Sequence, residues 1–250
     1  MVKKYIQSLR PQSGLSHVVY IVLTAALPLL VLFFVQLDLT ALAAALVLLS
    51  KWRMFAMRPR YWLPNLRANS VDIFVGLSIV VFLAGTDVLL VQLGWTVFFL
   101  FWVLWLKPKS NQIPVMMQAL LAQILALVAF YQASPDHAIV TGVLATWLIS
   151  YLSARHFFGA FDEPNTIQIS AIWGWFAASI TWVLEHWVIV YVTVPQVALV
   201  ITLVGYMLAL LYYLHANNRL RNSVKHQLIG FIMVLLFIII AFSDWQDKTI

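Results

Sequence analysis

The chain has 250 residues, 63% of them hydrophobic and only 10% charged, with a mean hydropathy of +0.93 and 11 Trp. Water-soluble domains run at about 45–50% apolar and about 25% charged, so this composition excludes a soluble fold and specifies an integral membrane protein with almost no mass outside the bilayer. The absence of Cys excludes disulfides, thiolate metal sites, a Cys nucleophile and Cys lipidation, and the net charge of +6 must be read from where the cations fall.

Residues 1–17 form a basic leader with Lys3, Lys4 and Arg10. A helix needs about 20 residues to cross ~30 Å of hydrocarbon, and Val18–Leu37 meets that length. It is too long for the apolar core of a cleaved signal peptide, which runs to about 15 residues. The next apolar run starts at Leu39, and the polar break Gln36-Leu37-Asp38 makes the pair a tight hairpin. Continuing along the chain, nine spans are predicted, at about 18–37, 39–57, 68–85, 88–106, 112–133, 138–154, 166–184, 188–214 and 227–243, followed by a short outer tail, 244–250. The fold class is therefore all-α: a polytopic bundle over 18–243 with its N-terminus inside.

Charge supports that count. Cytoplasmic segments collect Lys and Arg. With the N-terminus inside, Lys3, Lys4, Arg10, Lys51, Arg53, Arg58, Arg60, Arg67, Lys107, Lys109, Arg155, Arg219, Arg221 and Lys225 all fall inside, which is 14 of the 15 basic residues, and only Lys248 falls outside. The outer turns carry Asp38, Asp87, Asp136 and Glu185. These four acids are 49 residues apart in turn, which suggests helix-hairpin units of about that length. Two spans and two short loops give roughly the same period without any repeat, and residue-level similarity between the units is poor.

Between the second and third spans, 54–69 interleaves Arg58, Arg60 and Arg67 with Tyr61 and Trp62. Such a segment suits the headgroup level, with rings at the interface and cations toward anionic lipid of the inner leaflet. Nucleic acid is not an expected partner; a membrane-protein partner or a second copy of the chain is compatible with the sequence. Lys51 and Arg53 are expected to reach the headgroups on their long stems.

Within the spans, Gly142, Thr146 and Ser150 form one small-residue stripe and Ser170, Gly174 and Ala178 another; small residues let helices approach closely in lipid. Gln118 and Gln123 lie inside the fifth span, and Pro28 and Pro195 are read as mid-span kinks. No ionisable residue lies near the middle of a predicted span, which argues against proton relays and catalysis in the membrane. No hydrolase elbow, zinc-protease, phosphate-loop or dinucleotide motif occurs. The six His have no spacing that supports a metal site, and no cofactor is implied.

One polar group stands out. Arg155, His156, Asp162 and Glu163 surround Phe157, Phe158 and Phe161 in the inner connection between the sixth and seventh spans. Arg can hold a phosphate, while His and a carboxylate can move protons; a snorkelling Arg and a helix-start turn would use the same residues. The expected function is a non-enzymatic component of the cytoplasmic membrane: a permease-like, lipid-binding or partner-subunit bundle for neutral or lipid-like molecules. The alternatives are an enzyme acting on a lipid headgroup through 155–163, and a scaffold.

Overall fold

Polar breaks divide the apolar chain into nine α-helices among the described residues, which are 15–52, 56–191 and 194–247 of this computed structural model. They are α1 (Leu15–Gln36), α2 (Thr40–Leu49), α3 (Trp62–Ala84), α4 (Leu89–Phe101), α5 (Gln112–Ala133), α6 (Ile139–Gly159), α7 (Thr166–Leu184), α8 (Gln196–Ala216) and α9 (Asn222–Ala241). Lys3, Lys4 and Arg10 of the leader, with Arg53 and Lys248, lie outside the described residues. Six helices are long and apolar enough to cross a membrane: α3 with the turn before it, α4 with the turn after it, α5, α7, α8 and α9. Tight connections rest on Asp38, Asp162 and Asn218, whose φ angles are 59°, 51° and 54°; short polar side chains tolerate this left-handed backbone better than most.

Four elements differ from the sequence expectation. The second predicted span, 39–57, forms a helix of only 10 residues, about 15 Å long. The third helix starts at Trp62, after a 3-10 turn at Pro59–Tyr61, so half of the predicted headgroup segment is its first two turns. After α4 the chain widens into a π turn, Trp102–Leu106, closed by the Lys107 N–H donating to the Trp102 carbonyl at 2.9 Å. That turn aims Trp102, Val103 and Leu106 into the core. The fourth correction concerns the eighth span, which does not begin at 188. Trp187–Tyr191 is a strand, β1, and it pairs antiparallel with β2 (Val194–Pro195) and with β3 (Asp244–Asp247). The β-branched run Val188-Ile189-Val190 favours extended backbone. Pro195 is consequently the residue before α8, where its missing N–H costs nothing, so of the two predicted kinks Pro28 alone lies inside a helix.

Helix α3 is the hub of the first half. Val71, Val75, Ile79 and Leu83 on it meet Val31 of α1, Val47 of α2, Trp102 and Ala122 of α5. Gly76 permits this, since a Cβ there would stand 2.6 Å from a Val47 methyl. The second half packs α5 to α8 around Leu127, Ile149, Ala177 and Ile201. Helix α9 lies outside both, with Ile232 its only buried residue.

Side-chain pairs define two ends. At the basic end Lys51 and Lys107 meet Asp72, His156 meets Gln118, and Glu163 meets Tyr212. At the opposite end Gln36 meets Gln92, Tyr131 and His137 meet Glu185, and Gln196 meets Ser243.

Candidate functional site

A cavity of about 570 Å³ lies between α5, α6, α7 and α8, in the half of the bundle nearer the basic end. Its size is in the range of small-molecule sites, about 300–1,000 Å³. Ala119 and Leu120 form its α5 wall, Ala154, Phe157 and Phe158 its α6 wall, Ile169, Ile172 and Phe176 its α7 wall, and Val204, Met207, Leu208 and Ala209 its α8 wall. Ile172, Phe176 and Leu208 are exposed on the flank of the bundle, so the cavity opens sideways between α7 and α8 rather than along the helix axes.

Packing of aromatic rings closes the basic end of this space. Tyr212 meets Phe158 edge-on at 5.0 Å and Phe161 at 5.1 Å, and its hydroxyl donates to Glu163. Gly205 lets the α8 backbone come close at the other end: a Cβ there would stand 3.0 Å from Trp173 and 3.2 Å from the Gln123 amide nitrogen.

Against these apolar walls two polar groups stand out. The Trp173 indole N–H donates to Gln123 Oε1 at 3.2 Å, which orients the amide and leaves Nε2 without an acceptor. Ser153 Oγ also has no partner. Both residues line the cavity, and they are 3% and 2% exposed. A buried polar group left unpaired costs about 1–3 kcal/mol, and native structures hold few of them. These two groups sit at the cavity wall, which no charged side chain lines.

The residues singled out from the sequence do not form one site. Arg155 Nη1 donates to the Tyr151 hydroxyl at 3.2 Å. His156 turns the other way, its Nε2 2.9 Å from Gln118 Oε1, while Gln118 Nε2 donates to the Leu106 and Lys109 carbonyls. Glu163 engages Tyr212 and the Asn165 N–H, and Asp162 occupies the left-handed turn. Arg58, Arg60, Tyr61, Trp62 and Arg67 are exposed at the basic end, with the Arg60 guanidinium 4.6 Å from the Tyr61 ring and the Trp62 indole donating to the Met57 carbonyl. Gly142, Thr146 and Ser150 are buried on α6, as are Ser170, Gly174 and Ala178 on α7. The two helices pack closely there, since a Cβ on Gly174 would stand 3.2 Å from the Trp147 carbonyl. No protein-family model, curated protein or solved structure matches the chain.

Two acids are largely withdrawn from solvent, and Asp72, near the start of the predicted span 68–85, falls midway along the longer helix α3. Asp72, on α3, accepts from Lys51 at 2.9 Å and Lys107 at 2.7 Å on Oδ2, and from the Trp102 indole at 3.2 Å on Oδ1. Lys51 thus points into the protein instead of toward headgroups. Burial, together with the Lys107 ammonium, outweighs the attraction of Asp72 and pulls Lys51 down to about 8. A signal was available: an acid inside an apolar span needs a partner, and Lys51 and Lys107 end the neighbouring spans at the same face. Glu185, predicted to sit in an outer turn, is 3% exposed. Among the described residues no three His, Asp or Glu side chains group as metal ligands would.

Proposed function

We propose that the chain is a multi-pass protein of the cell membrane that binds a neutral, lipid-like molecule in the cavity between α5 and α8, as a non-enzymatic carrier or lipid-binding subunit. The nine helices cross the bilayer in alternation. The basic end faces the cytoplasm, where Arg58, Arg60 and Arg67 rest on anionic headgroups.

The observation that carries this reading is the pair of unpartnered groups, Gln123 Nε2 and Ser153 Oγ, in a cavity otherwise walled by apolar side chains. The apolar walls suit an alkyl or isoprenoid chain, and the amide donor suits a carbonyl or hydroxyl oxygen on it. A charged head would find no counter-charge on the cavity wall and is disfavoured. The lateral mouth between α7 and α8 supports entry from the hydrocarbon rather than from water.

A long-chain alcohol carrying a diazirine tests this in membranes. After photolysis its adducts should map to α5–α8 residues such as Phe157, Trp173 and Leu208. Removing both polar groups, with Gln123→Leu and Ser153→Ala, should raise the concentration for half-maximal labelling by about thirtyfold, since each of the two hydrogen bonds contributes on the order of 1 kcal/mol. Ala209→Trp should abolish cavity labelling by filling the space. Adducts spread over every lipid-facing helix, and unchanged by Ala209→Trp, would overturn the reading.

A further inference from the structure

The geometry points to a proton-binding site at the opposite end of the bundle from the cavity's closed floor, in which His137 and Glu185 hold one proton between them and latch the α5–α6 turn onto the end of α7.

The inference rests on donors and acceptors alone. His137 Nδ1 lies 2.6 Å from the Ser134 carbonyl oxygen. A carbonyl only accepts, so Nδ1 must carry hydrogen. The other ring nitrogen, Nε2, lies 3.0 Å from Glu185 Oε1. A neutral imidazole that has spent its hydrogen on Nδ1 presents a lone pair at Nε2, and a carboxylate also presents lone pairs. Two acceptors cannot share a 3.0 Å contact without a proton. The contact therefore contains either an imidazolium and a carboxylate or an imidazole and a carboxylic acid. Both descriptions hold the same one proton.

The surroundings keep that proton from being replaced by solvent. The side chains of His137 and Glu185 are 6% and 3% exposed. Phe130 and Tyr131 place their rings 5.0 and 5.1 Å from the imidazole. The Tyr131 hydroxyl donates to the same Oε1 at 2.6 Å, with Thr146 and Thr181 flanking it. Gly142 of α6 lies flat against the carboxylate, since a Cβ there would stand 1.9 Å from Oε1. Among the described residues, Tyr131 from α5 and His137 from the turn are the titratable groups facing Glu185; α6 brings only Gly142 and Thr146, and α7 adds Thr181. Glu185 Oε2 has no partner, so among the described residues the Tyr131 hydroxyl on Oε1 is the one donor left to the carboxylate once the proton leaves. Deprotonation then sets a lone pair against a buried anion, and the turn carrying His137 must swing away.

The test uses the full chain in lipid nanodiscs. With ¹⁵N-labelled His, the His137 ring is assigned by its loss in His137→Gln. At neutral pH it should show a proton on Nδ1, together with a second proton on Nε2 or a strong hydrogen bond received there. A wild-type ring protonated on Nε2 alone would overturn the proposal, and that result needs no folded variant. In a second arm, Ser134→Cys reports the latch in this otherwise Cys-free chain. Maleimide labelling, corrected for reagent reactivity on the denatured protein, should rise at least threefold between pH 5 and pH 9. With Glu185→Gln, whose amide can donate to Nε2 at any pH, the profile should be flat. Labelling that does not change with pH in the wild-type background, or changes equally in Glu185→Gln, would also overturn it.

Discussion

At Asp72 one carboxylate carries three donors from three different parts of the chain: Lys51 after α2, Trp102 in the π turn, and Lys107 beyond it. The side chains of Lys51 and Asp72 are 12% and 15% exposed, while Lys107 is 38% exposed, so loss of the acid leaves one ammonium stranded and one able to escape to solvent. Asp72→Asn should therefore destabilise the fold by about 3 kcal/mol, the lower end of the range for breaking a buried pair, read as a fall in melting temperature in detergent. Adding Lys51→Met removes the stranded charge, so the double variant should be more stable than Asp72→Asn alone. A double variant less stable than the single would show that the carboxylate is not there to answer the Lys charge. The acid and the two Lys that end neighbouring spans were visible in the sequence; what it did not show is that the ends of α2 and α4 meet the interior of α3 at one height. Gln118 and Gln123 were visible as intramembrane polar groups, yet their division of labour was not. Which one binds His156 and which one is left facing a cavity is set by helix rotation, and no periodicity in α5 encodes that.

Helix pairs follow from simpler rules, and most of their ends were legible. The span 112–133 coincides with α5 and 166–184 with α7, because polar residues or turn formers bracket a run of helix-forming apolar residues on both sides. Legibility failed where an apolar run did not mean helix. Residues 187–191 are as apolar as any span, but β-branched side chains and the following Pro195 turn them into a strand. The close approach of α6 and α7 makes a sharp prediction about two glycines. At Gly142 a methyl group would collide with Glu185 Oε1, which Tyr131 and His137 hold in place, so Gly142→Ala must break those bonds or push the helices apart. It should cost about 1–3 kcal/mol, the usual cost of overpacking. At Gly94, on α4, a Cβ would meet nothing within 4 Å, and Gly94→Ala should be neutral or stabilising by up to about 1 kcal/mol. Equal melting temperatures for the two variants would mean that α6 and α7 are not held together at this point.

For the molecule as a whole, the division into two ends comes from side-chain contacts and needs no membrane to define it. The charges fall on that division unevenly. Lys51, Arg58, Arg60, Arg67, Lys107, Lys109, Arg155, Arg219, Arg221 and Lys225 belong to one end, while Asp38, Asp87, Asp136 and Glu185 belong to the other. Moving ten cations through hydrocarbon during insertion costs several kcal/mol for each, so the bundle should insert in one orientation only, with the basic end held in the cytoplasm. On the proposed arrangement of nine alternating helices, Asp136 lies outside and Asn218 inside. The absence of native Cys makes this directly measurable. In intact cells a membrane-impermeant maleimide should label Asp136→Cys, which is exposed in the α5–α6 turn, and should spare Asn218→Cys, which is exposed in the α8–α9 turn. Both should label after the membrane is opened. The short α2 is the point of risk, because 10 residues cover only about half of the hydrocarbon thickness. If α2 fails to return the chain across the bilayer, every helix after it inverts. Asn218→Cys would then label from outside and Asp136→Cys would not, and the cations on α3 to α9 would face the wrong leaflet.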